Sequence, residues 1–135
     1  MPLYSPTALN PDFGGDYFSA SSEGASSTTS TSFQTKLTLN VTTTKSGLFI
    51  LQWYVRNKTS AANKSFEIII DDENSNVLGR FYSRYPQAST EMPFSGFLFL
   101  NLDAEVSKTF NLKYRRVDST TLTVSAARFA FYKVS

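Results

Sequence analysis

The sequence contains no cysteine and no histidine. That excludes disulfide frameworks, thiolate nucleophiles, Ser-His-Asp triads, imidazole proton shuttles and nearly every zinc site. A chain without thiols is compatible with any redox compartment. Proline and glycine are sparse, 5 and 6 in 135 residues, and Pro2, Pro6 and Pro11 all fall near the N-terminus. No apolar run is longer than Leu48–Leu51, too short to span a bilayer, and the N-terminus shows no basic-then-apolar signal pattern. Neither a membrane nor, at a net charge of +2, a nucleic acid is expected as partner. With 41% hydrophobic and 18% charged residues the composition is globular. A chain of 135 residues makes one domain that buries roughly two thirds of its unfolded surface and needs no staple. What these absences leave is a binding or structural protein. No catalytic residues, cofactor or metal are expected.

Serine and threonine are abundant, 19 and 15, and aromatics are frequent, with 12 Phe, 7 Tyr and 1 Trp. Hydroxyl-rich and aromatic residues together suit β-strands and the turns between them. Charge is unevenly spread. Residues 1–32 carry Asp12, Asp16 and Glu23 with no Lys or Arg, a net of −3; residues 33–135 carry 13 basic and 8 acidic residues, a net of +5.

Residues 1–18 hold three prolines and Gly14-Gly15 without any periodicity, which predicts an extended or irregular stretch. Residues 19–32 are 10 Ser or Thr in 14 and read as a flexible linker. Residues 1–32 are thus expected as an N-terminal arm and linker, and residues 33–135 as the folded domain. Yet Tyr4, Phe13, Tyr17 and Phe18 lie within the arm. Aromatics there need burial, either on their own domain or on a neighbouring subunit or larger particle.

From Phe33 the pattern changes to period two, with Phe33, Thr35, Leu37, Leu39 and Val41 alternating against polar residues. Further strands are expected at 48–56, 65–70, 77–85, 94–102, 108–116 and 121–134. Polar turns such as Asp71–Asn76 separate them, and 57–64 reads as a loop. Seven strands and no helix predict an all-β, antiparallel β-sandwich of jelly-roll type, preceded by an extended arm. Three strands are apolar on both faces. Leu48, Ile50 and Tyr54 oppose Phe49, Leu51 and Trp53; Phe97 and Phe99 oppose Leu98 and Leu100; Phe129 and Phe131 oppose Ala130, Tyr132 and Val134. An outer sheet face of this kind must be covered, and self-association explains it best. Phe97, Phe99, Phe129 and Phe131 are the candidate interface residues.

Other constellations have blander readings. Asp71, Asp72, Glu73, Asn74 and Asn76 offer oxygens for calcium, but a hairpin turn needs the same residue types. Glu67 with Glu91 or Asp71 resembles a glycosidase carboxylate pair only in composition. Arg80, Arg84, Lys113, Arg115, Arg116 and Arg128 form the main basic set, which reads as a solvated sheet face or as salt-bridge partners. Trp53 shares a face with Phe49, Leu51 and Val55 and belongs to the core. Tyr82 and Tyr85, flanked by arginines, are the candidates for an exposed aromatic patch contacting glycan.

The order of SSTTSTSFQTKLTL (26–39), SGLFILQWYV (46–55), FEIIIDDENSNVLGRF (66–81), FSGFLFLNL (94–102) and FNLKYRRVDSTTLTVSAARFAFYKV (110–134) resembles the small jelly-roll virion proteins of tailed bacteriophages. The resemblance covers residues 26–135. It implies a virion structural protein, commonly a homotrimer, made in the host cytoplasm and placed on the capsid or the tail. A compact body with a 32-residue arm fits a capsid decoration protein better than a tail adhesin. The major capsid protein is then the expected partner, held through Tyr4, Phe13, Tyr17 and Phe18. The alternative is a tail or fibre-tip protein that binds host surface carbohydrate.

Overall fold

A computed structural model describes residues 16–135. Nine strands occur among them: β1 (Tyr17–Ser22), β2 (Ser26–Thr28), β3 (Gln34–Thr42), β4 (Gly47–Thr59), β5 (Ser65–Asp72), β6 (Val77–Arg84), β7 (Met92–Leu102), β8 (Ser107–Arg116) and β9 (Leu122–Lys133). One sheet runs β1-β9-β4-β7 with β2 also on β9, and the other runs β3-β8-β5-β6. All pairings are antiparallel, and only β5 and β6 are neighbours in both sequence and sheet. From β2 onward the other connections pass from sheet to sheet, the winding of a jelly-roll sandwich.

The alternation seen in the sequence fills the space between the sheets. Phe49, Leu51, Trp53 and Val55 of β4 face Phe66, Ile68 and Ile70 of β5 and Phe110, Leu112 and Tyr114 of β8. Phe131 lies at the centre, stacked on Phe49 at 5.1 Å and 4°, with Phe110 also at 5.1 Å. Phe129 and Phe131 are therefore core residues and not interface residues. Their register on β4 places them opposite Trp53 and Leu51, which point inward.

Half of the hydroxyl-rich stretch expected as a linker is built into the sheet. Tyr17–Ser22 pairs residue for residue with Ala127–Tyr132, and Ser26–Thr28 pairs with Leu122–Val124. Low side-chain bulk and β-branching suit an edge strand as well as a flexible tether, so composition alone does not separate the two. Asp16 anchors the entry: its carboxylate accepts bonds from the Thr44 amide at 2.9 Å and the Thr44 hydroxyl at 3.1 Å. The exit is held by Arg115, whose Nη1 donates to Thr31 O and whose guanidinium covers the Phe33 ring, and by Arg116, which donates to Thr29 O.

The loop expected at 57–64 is also shorter than its polarity suggests. β4 continues to Thr59 through a bulge at Arg56–Asn57, and Asn57 is fully buried. Its Nδ2 donates to Met92 O at 3.1 Å, and its Oδ1 accepts from the Tyr85 hydroxyl at 2.7 Å. A buried amide with both ends satisfied is tolerated in a core.

Candidate interaction surface

Strand parity decides what each sheet shows to solvent. Trp53 lies between Gly79 of β6 and Gly96 of β7, where a Cβ on either glycine would come within 2.6 Å of its ring. Only glycine fits there, so position 96 must face inward. Leu98 and Leu100 follow it into the core, and Phe97 and Phe99 are turned out. They are 61% and 50% exposed, packed edge to face at 5.6 Å.

The outer face of this sheet reads in cross-strand rows. Tyr17, Tyr132, Ile50 and Phe99 form one, and Ser19, Ala130, Gln52 and Phe97 form the next. Tyr17 and Tyr132 stack at 5.7 Å. A shallow groove of about 640 Å³ crosses the face near β1, with Tyr17 on one side and Tyr54, Arg128 and Glu23 on the other. Arg128 pairs with Glu23 at 2.7 Å and lies over the Tyr54 ring. β7 itself forms the sheet's edge and carries no charged residue along MPFSGFLFLNL. Long uncharged apolar edges are rare on monomers, because they invite another chain to pair or pack.

The opposite sheet is polar outside. Glu67 is buried between Arg80, whose Nε lies 2.7 Å from Oε2, and Arg115, whose Nε and Nη2 reach Oε1 at 2.9 and 2.6 Å. Asp71 pairs with Lys113 at 2.7 Å. Glu91, by contrast, lies with Arg56 and Lys58 and accepts from the Ser125 hydroxyl. Each of these carboxylates is held by cations of its own sheet face or loop. In the Asp71–Asn76 turn, Asp72 Oδ1 accepts from the amides of Asn74 and Asn76, and Glu73 accepts from Lys108 and the Thr109 amide. Burial alone would raise the Asp72 pKa, but those amides, the Asn76 side chain and Lys108 hold it below the ordinary range. The turn therefore uses these oxygens itself, and no cluster of three or more acidic side chains suited to a metal occurs among the described residues.

The two tyrosines singled out for glycan part company. Tyr82 is 57% exposed on the outer face, between Arg80 and Arg84. Tyr85 is only 6% exposed, packed against Phe66 at 4.8 Å, and burial pushes its hydroxyl up to about 12 against the opposing effect of Asn57. Tyr85 is thus a core residue: it keeps the inward parity of Phe81, whose ring lies 6.3 Å away. Of the arm aromatics, Tyr4 and Phe13 lie outside the described residues. Tyr17 is on the outer face, while Phe18 is turned inward, 6.4 Å from Phe131, and belongs to its own domain.

No protein-family model and no curated protein sequence matches the chain. Solved structures do share its fold. The globular domain of zebrafish complement 1qA protein is 13% identical, with a TM-score of 0.51 over 90% of this chain and 98% of that one. The PRD1 vertex protein P5 is 12% identical, with a TM-score of 0.50 over the same shares. At these identities the likeness establishes architecture: the chain is a jelly-roll β-sandwich of a kind that occurs in a viral vertex protein and in a complement domain.

Proposed function

We propose that this protein is a virion structural protein of a tailed bacteriophage, of the capsid decoration type, acting as a self-associated unit with no catalytic role. The observation that carries the reading is the aromatic outer face of the β1-β9-β4-β7 sheet, with Phe97 and Phe99 at its uncharged edge. The phenylalanine pair on β7 and the groove over β1, β9 and β4 adjoin on one face, with groove-lining Gln52 opposite Phe97. Contact between two such different patches is head to tail, and closing it by a threefold rotation gives the homotrimer that the sequence resemblance implies. Assembled copies on the outer shell would bind the major capsid protein and stabilise the assembled state by preferential binding. In this reading Tyr4 and Phe13, together with exposed Tyr17, contact the shell or a neighbouring copy.

The test is the copy number per purified particle, by quantitative mass spectrometry against the major capsid protein. Decoration predicts copies in proportion to the capsid lattice. A handful per particle would place the protein on the tail, and absence from particles would overturn the virion reading. Exposed Tyr82 favours the second reading, a tail protein contacting host carbohydrate.

A further inference from the structure

Glu67 is a carboxylate on the outer face of a sheet, yet its side chain is only 3% exposed, because two arginines close over it. Arg80 is held through Nε while its side chain stays 59% exposed. Its terminal nitrogens are thereby presented in a fixed orientation, so little rotamer entropy is lost when they bind an anion. Arg84, on the same face of β6, is 60% exposed and makes a long contact, 3.8 Å, to Asp118. Tyr82 lies between the two arginines, its Cα opposite that of Glu67. Alternate residues of a strand share one face, so Arg80 and Arg84 are about 13 Å apart with an aromatic plane midway. Lys64 acts on Asp118 from nearby, and Arg116 donates to the Asp118 carbonyl. Lys64, Arg80, Arg84, Arg115 and Arg116 against Glu67 and Asp118 leave five cations and two carboxylates. The resulting +3 exceeds the +2 of the whole chain.

We propose that Arg80, Tyr82 and Arg84 form a contact site for an acidic polysaccharide, with the sugar ring on Tyr82 and its carboxylate or sulfate groups on the flanking guanidinium forks. The open sheet face suits an extended polymer better than a small molecule held in a pocket. Nucleic acid fits less well. Strand-tracking surfaces use successive aromatics, and among the described residues Tyr82 has no second exposed aromatic beside it on this face. The proposal rests on the carbohydrate reading for the sugar and adds the ligand's charge and the residues that read it.

The experiment measures binding of the full chain to colominic acid and to heparin oligosaccharide, with dextran, poly-glutamate and poly-dT as comparison polymers. The expected result is binding of at least one acidic glycan in preference to all three. Tyr82→Ala, which leaves the charge unchanged, should weaken it about fivefold. Arg84→Gln should weaken it about three- to tenfold. Thermal melts check that both variants fold; Arg80 is left intact because it covers buried Glu67. Equal affinity for poly-glutamate, tighter binding of poly-dT, or indifference to Tyr82→Ala would overturn the proposal. Dextran bound as tightly as the acidic glycans would overturn the charge and leave the carbohydrate reading standing. If no polymer binds, both fail.

Discussion

Trp53 does more than fill space. Its ring needs a glycine on each of two edge strands, and the glycine on β7 fixes which side chains of that strand reach water. Gly96→Ala should cost about 1–3 kcal/mol, since the rigid indole must shift to admit a Cβ. Urea unfolding followed by the fluorescence of Trp53, the sole tryptophan, measures it directly. The Tyr85–Asn57 bond is the other residue-scale device. Tyr85→Phe leaves Asn57 Oδ1 buried without its donor and should cost about 1–3 kcal/mol in the same assay. Because the folded state raises the Tyr85 pKa, this group's contribution is fully present below the ordinary tyrosine pKa. It is lost as pH rises toward about 12. The loss of stability across that window should be smaller in Tyr85→Phe.

At the scale of the element, the strands from β3 to β9 were legible because each carries β-branched or aromatic residues and ends in polar turn residues. Less visible was β1 with β2, whose serines carry no apolar stripe; only Tyr17 and Phe18 hinted that the stretch is packed. Parity was legible for β4, where Trp53, Phe49 and Leu51 agree. It was undetermined for β7 and β9, where both faces are apolar and the choice depends on Gly96 and on register with β4. Tyr85 was misplaced although its parity was legible: it shares the inward face with Phe81, and the flanking arginines say nothing of that face. β1 itself depends on the Asp16–Thr44 bonds, so Asp16→Ala should cost about 1–3 kcal/mol and speed amide exchange along Tyr17–Ser22. The Asp71–Asn76 turn gives an acid-side counterpart. Asp72 and Glu73 both have lowered pKa values, as does Asp118, where the Ser65 hydrogen bond leads the causes. Their stabilisation is present above the ordinary carboxylate range and is lost as pH falls through the lowered values. The thermal midpoint should therefore drop below about pH 4.

On the scale of the whole molecule the two outer faces differ in kind. One is a polar lattice in which cations cover buried carboxylates on β5, and it is complete within a single copy apart from the terminal groups of Arg80 and Arg84. The other exposes aromatic rings along an uncharged edge strand and is completed, in the proposed reading, only by a second copy. Self-association is the step on which the decoration proposal depends. Native mass spectrometry at micromolar concentration, on the wild type and on Phe97→Ser/Phe99→Ser, tests it most directly. A trimer is expected for the wild type, with the double variant a folded monomer whose Trp53 emission is unchanged. A wild-type monomer, or a trimer indifferent to both substitutions, would contradict it.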